Sequence, residues 1–144
     1  MEIQITSKDK VVDWVHLLHD ANPGMAIGLL LSGDRWSCVE EVVLAVVKKK
    51  IVGIATIAPL GEMRTGEPTI VGLYILHDYR GQGIGFSLLT ATINYMLSKN
   101  MEPIRLDVMN SKISRMIDRL SIEKQQKLNV VDQSGSLLDI LLES

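Results

Sequence analysis

Thr69-Ile70-Val71-Gly72-Leu73-Tyr74-Ile75-Leu76-His77-Asp78-Tyr79-Arg80-Gly81-Gln82-Gly83-Ile84-Gly85-Phe86 decides the fold. The run from Thr69 to Leu76 is rich in β-branched and aromatic side chains and reads as a strand. From Phe86 to Lys99 the residues Leu88, Leu89, Thr92, Ile93 and Met96 recur at helical spacing, and Lys99 with Asn100 suits a helix C-terminus. A glycine cluster joins the two. At a strand-to-helix junction such a cluster leaves backbone donors bare of side chains, and the positive end of the helix dipole adds to them. The turn can therefore hold a diphosphate. Two familiar phosphate loops do not fit: the dinucleotide fingerprint needs a glycine where Phe86 stands, and no glycine-lysine-serine/threonine ending follows.

Working upstream, Val42 to Val47 and Ile51 to Ile57 are two β-branched runs around Lys48-Lys49-Lys50, which predicts an antiparallel hairpin with a solvated basic tip. Pro59 ends the second run, and Gly61 to Pro68 is a polar loop. Ile3 and Ile5 mark a short alternating strand. Ser7 or Thr6 then caps a helix over about Lys8 to His19, whose stripe is Val11, Val12, Val15 and Leu18 with Trp14 beside them, and which Asn22-Pro23-Gly24 stops. Met25 to Ser37 has poor periodicity and room for another short helix.

Downstream, Pro103 precedes an alternating strand, Ile104 to Val108, and a helix is expected from about Ser111 to Lys124. Leu128 to Val131 and Leu137 to Leu142, around Gln133-Ser134-Gly135, predict a closing strand pair. The sum is an α/β fold: a mixed, largely antiparallel sheet of six or seven strands flanked by helices on both faces. No repeat or linker interrupts residues 1–144, so one domain is expected.

Composition narrows the function. Apolar residues are 47% and charged residues 22%, which excludes a disordered chain. Fifteen Lys plus Arg against 17 Asp plus Glu give a net charge of −2, so no global basic field recruits nucleic acid. Cys38 stands alone, and Cys and His are too sparse for a metal site; a reducing cytoplasm is the simplest setting. The N-terminus lacks a signal-peptide pattern, and the longest apolar run, about Met25 to Leu31, falls far short of the ~20 residues of a membrane span.

The glycine segment resembles the pyrophosphate loop of the GNAT superfamily of N-acetyltransferases, Arg/Gln-x-x-Gly-x-Gly/Ala, with Arg80, Gly83 and Gly85 at the required positions. The order hairpin, strand, loop, helix, strand, helix from Glu41 to about Lys124 resembles the family too. One departure is Leu76-His77, where many members carry His-Pro. The resemblance implies a splayed fourth and fifth strand that hold the pantetheine arm of acetyl-CoA, with residues Arg80, Gly81, Gln82, Gly83, Ile84 and Gly85 binding its diphosphate. It further implies that Ile75 meets the cofactor from the fourth strand and that Asn110 hydrogen-bonds the pantetheine arm; Asn110 is equally suited to cap the helix from Ser111. No metal is implied.

An acceptor amine would then attack the thioester directly, which requires a neutral amine and hence a base or water chain. Glu67 and Glu62, before the fourth strand, and Tyr74 on it are the candidates; His77 matches a lead-in position, and Asp34, Glu40 and Glu41 could lend the acceptor site a negative potential. Many members place a tyrosine seven residues after the asparagine to protonate the thiolate, but this chain has Ile117 and also lacks the customary Gly-Phe beyond it. The proton would then come from Tyr74, Ser114 or water. The alternatives are a protein of this fold that binds or senses acyl-CoA without turnover, and an interaction domain with an incidental glycine turn. Trp14 and Trp36 read as core residues, with Trp36 the better wall for an acceptor pocket, and Cys38 as a structural thiol. The acceptor's identity stays open among amines, and Leu137 to Leu142 could pair across a homodimer.

Overall fold

The computed structural model describes residues 1–21, 35–61, 65–108 and 111–132. Their strands are β1 (Glu2–Ser7), β2 (Glu41–Val47), β3 (Lys50–Ala58), β4 (Thr69–Ile75), β5 (Ile104–Val108) and β6 (Leu128–Asp132). The helices are α1 (Val12–Ala21), α2 (Arg35–Cys38), α3 (Ile84–Ser98), α4 (Ser111–Asp118) and α5 (Ile122–Gln126). The strands form one six-stranded sheet in sequence order. Neighbours from β1 to β4 are antiparallel, whereas β4, β5 and β6 run parallel through the helical crossovers. The mixed α/β fold is therefore the one the sequence predicts.

Helices cover both faces of β2 and β3, which is why these strands read as unbroken apolar runs instead of alternating. On one face Val43, Ala45, Ala55 and Ile57 pack with Leu88, Leu89, Ile93 and Met96 of α3 and with Ile117 and Leu120. On the other, Val42, Leu44, Val46, Ile54 and Tyr74 pack with Val11 and Val15 at α1. Thr92 is buried in α3 and satisfies its hydroxyl by donating to the Leu88 carbonyl at 2.7 Å. All five residues of the predicted α3 face are buried.

Several boundaries differ from expectation for local reasons. The first helix is preceded by a 3-10 turn at Lys8–Lys10, and Ser7 makes no side-chain cap there. The hairpin tip is two residues, Lys48 and Lys49, with Lys50 already opening β3 opposite Val47. Both tip lysines have positive φ, 49° and 65°, in a tight turn that usually takes asparagine and glycine. Each pays about 1 kcal/mol in backbone energy. The expected helix to Lys124 breaks after Asp118 because Ser121 accepts a bond from the Lys124 amide and starts α5 anew, while Gln125 Nε2 donates to the Leu120 carbonyl at 2.9 Å. The strand predicted from Leu137 and most of the Met25–Ser37 segment lie outside the described residues.

Tyr95 of α3 donates to a Glu41 carboxylate oxygen at the start of β2, tying the helix to the hairpin. That bond, helped by burial and by the charge of Glu41, pushes the phenol from 10.0 up to about 12. A raised folded value means that the stabilisation is complete below pH 10 and is lost as the pH climbs toward 12. After solvent screening the effect is about 1 kcal/mol. Urea midpoints of the wild type should thus fall more steeply above pH 10 than those of Tyr95→Phe; parallel curves would refute the coupling.

Candidate functional site

The site begins with an irregularity in β4. Ile57 pairs with Ile70 and Thr56 with Gly72, so Val71 is an extra residue, a β-bulge, on β4. Pairing with β5 among the described residues is confined to Thr69 with Arg105 and Ile70 with Leu106, next to a bond from the Arg105 amide to the Pro68 carbonyl at 2.7 Å. Beyond the bulge β4 continues to Ile75 and β5 to Val108 without a ladder between them. A cleft opens there.

Alternation fixes which groups line it. The Leu76 amide donates to the Val52 carbonyl at 2.8 Å, so the backbone of Leu76 and Tyr74 turns to β3, and that of Leu73 and Ile75 turns to the cleft. Arg80 Nε donates to the Ile75 carbonyl at 2.9 Å, which leaves the Ile75 N–H as the donor aimed into the opening. The Ile75 side chain serves packing instead: its Cδ1 would lie 2.7 Å from a Cβ placed on Gly53, and its Cγ1 3.7 Å from one on Gly85.

At the end of β4 a 3-10 turn, His77–Tyr79, leads into the glycine loop. Gly81 and Gly83 have φ of +78° and +81°, and a Cβ on either would meet nothing within 4 Å. Gly83 is the N-cap of α3, and its carbonyl accepts from the Ser87 amide at 3.1 Å. The amides of the first turn have no carbonyl a turn behind them and point out of the helix end. Gly85 does a different job, since a Cβ there would sit 3.2 Å from Met116 Cε of α4. Ile84 is buried and offers the loop only its amide, while Gln82 Nε2 reaches back to the Asp78 carbonyl at 3.5 Å. The Arg80 guanidinium lies 5.4 Å from the centre of the Tyr74 ring, which is itself buried on the α1 face. Six of the loop residues named from sequence thus converge at one helix end.

The residues named for catalysis are more scattered. Glu67 sits at the other end of β4, where one carboxylate oxygen accepts from Asn129 Nδ2 and the other lies 3.6 Å from Arg105 Nη1. Arg105 Nε also donates to Asp107 Oδ1 at 3.0 Å. Asp107, against desolvation and with help from Glu67, raises the guanidinium's already high pKa. Sequence reasoning missed Arg105, Asp107 and Asn129. Alternation in β5 put the first two on one face, but their link to Glu67 and to β6 is a tertiary fact. Asn110, Glu62 and Asp34 lie outside the described residues. Glu41 accepts a hydrogen bond from Tyr95 of α3, on the sheet face opposite α1. Ile117 is a core residue.

Among the described residues no group of three or more His, Cys, Asp or Glu could hold a metal ion, and no helix is long and apolar enough to cross a membrane. The profile of the acetyltransferase (GNAT) family matches residues 12–115. No match is found among curated proteins. Solved structures with the same fold include the ribosomal-protein-alanine N-acetyltransferase of Brucella melitensis biovar Abortus 2308, 18% identical, with TM-score 0.58 over 85% of this chain and 94% of that one. Tetrahymena GCN5 is 15% identical, with TM-score 0.60 over 86% of this chain and 85% of that one. The GNAT family N-acetyltransferase YhbS of Escherichia coli, solved in complex with CoA, is 16% identical, with TM-score 0.58 over 80% of this chain and 66% of that one.

Proposed function

Because the chain belongs to the acetyltransferase (GNAT) family, we propose that it transfers the acetyl group of acetyl-CoA to a primary amine by direct attack on the thioester. The observation that carries this reading is the open cradle at Gly81 and Gly83, set at the mouth of the β4–β5 cleft. Amides at the α3 N-terminus suit a diphosphate, and the Ile75 N–H suits the pantetheine arm or the thioester carbonyl. In the transfer a nitrogen–carbon bond forms and the carbon–sulfur bond breaks. The amine's proton passes to a base and the thiolate takes one from an acid or water.

Tyr74 is our proposed acid and Glu67 our proposed base; about 20 Å of strand separates the two, so Glu67 draws the amine's proton through a chain of waters. Glu67→Gln should lower kcat/KM by about 100-fold while acetyl-CoA affinity stays at the wild-type value. Full turnover in that variant would transfer the role to Asp107, the second carboxylate on Arg105 and a resident of the cleft's other strand. The absence of a hydroxyl at Ile117 favours one rival, a binder without turnover. Titration calorimetry with acetyl-CoA, and with NAD and ATP as controls, followed by an amine screen that reads free thiol, separates them. Selective binding with thiol release supports the enzyme, binding without release supports the rival, and no binding defeats both. A cytoplasmic setting, supported by the lone Cys38, completes the proposal.

A further inference from the structure

One cation flanks the glycine cradle. Phe86 is the third residue of α3 after its N-cap Gly83, and its ring is half-buried against the core. A helical side chain leans toward the N-terminus and covers the turn before its own Cα, so this ring lies along the first turn of α3, next to the loop. The Arg119 guanidinium sits 4.2 Å from the centre of that ring. The backbone that carries it is fixed. The Arg119 amide donates to the Met116 carbonyl at 3.2 Å, Ile117 and Leu120 are buried in the core, and Met116 Cε closes on Gly85, the neighbour of Phe86. Arg119 itself is exposed, and among the described residues it forms no ion pair. A guanidinium stacked by its face on a ring keeps the donors of its edge for a phosphate.

We infer that Arg119 holds a phosphate monoester outside the cradle, the 3′-phosphate on the ribose of coenzyme A. The inference rests on the acetyl-transfer reading. With the diphosphate on the loop amides and the pantetheine arm in the β4–β5 cleft, the nucleoside end of the molecule lies outside the cradle. The acetyl group and the pantetheine arm are uncharged, so the ribose phosphate is the anion left for a cation beside the loop. Only the ribose separates it from the diphosphate. Arg119 is then a specificity residue that tells CoA from 3′-dephospho-CoA.

Calorimetry with these two ligands tests the assignment without turnover. The wild type should bind CoA about tenfold tighter than 3′-dephospho-CoA, the gain of one solvent-facing charge-assisted contact. Arg119→Gln should bring CoA down to the affinity of 3′-dephospho-CoA and leave the latter unchanged, which also shows that the variant is folded with its cradle intact. Arg115 supplies the control: it lies one turn earlier on α4, and its Nε and Nη2 are held by the Ser111 carbonyl and hydroxyl at 3.3 and 3.4 Å. Arg115→Gln makes the same change in net charge and should keep the tenfold preference. A preference that survives Arg119→Gln, or is lost equally in Arg115→Gln, overturns the proposal. So does an equal loss for both ligands in Arg119→Gln, which would put the guanidinium on the diphosphate or the adenine. Failure of both ligands to bind the wild type overturns the acetyl-transfer reading and this inference with it, whereas equal binding of the two strikes this inference alone.

Discussion

Replacing Gly83 by valine is expected to weaken acetyl-CoA binding by about 100-fold, equivalent to losing two charge-assisted hydrogen bonds of ~1.5 kcal/mol each. A Cβ at this position meets nothing within 4 Å in the protein itself, so the loss does not come from a clash inside the fold. It comes from a branched side chain standing where phosphate oxygens would approach the α3 amides. The backbone adds a separate cost, because φ is +81° and valine resists that region by about 1–2 kcal/mol. Gly66 supplies the control. Its φ is +87°, a Cβ there also meets nothing, and it lies outside the loop. Gly66→Val should therefore lose similar stability in a thermal melt and keep full affinity in calorimetry. Equal affinity in the two variants would remove the loop as the diphosphate site.

Leu88→Ala should cost about 3 kcal/mol, the middle of the range for emptying a buried leucine site. Leu88 is fully buried in the second turn of α3, and its Cδ2 would lie 3.3 Å from a Cβ on Gly53. The bare β3 backbone at Gly53 and the rigid ladder beneath it leave little that can collapse into the void. For a small domain, ~3 kcal/mol is a large part of the ~5–15 kcal/mol available. Urea unfolding would show the loss as a lower midpoint at unchanged slope. Acetyl-CoA at 100 times its Kd for the variant should restore about 2.7 kcal/mol by mass action, because the ligand binds the folded chain and not the unfolded one. A midpoint shift worth under 1 kcal/mol would mean that α3 does not anchor on the sheet as described.

Legibility in the sequence followed the range of the interactions. The glycine loop could be read because its job is local: a strand pattern, three glycines and a helix stripe all fall within 30 residues. Ile75 was likewise placed correctly on β4, yet only the Val71 bulge decides which of its edges its amide serves. The break before α5 escaped because Ser121 competes with a helix by bonding its own downstream amide, a choice that propensities over Ser111–Lys124 do not reveal. Glu67 was read as a loop carboxylate, and its neighbours Arg105 and Asn129 are 38 and 62 positions away in the chain. A parallel crossover brings them together, and single-sequence patterns carry no register across it.

The two-residue ladder between β4 and β5 has a mechanical meaning. A sheet continuous in topology is here two plates, one of β1 to β4 and one of β5 and β6, sewn by a single short seam. A linear ligand lying in the cleft would stand in for the missing rungs of that ladder, as a strand of foreign chemistry. A ligand bound there would then couple occupancy to stiffness, since it would brace the two plates where the seam does not.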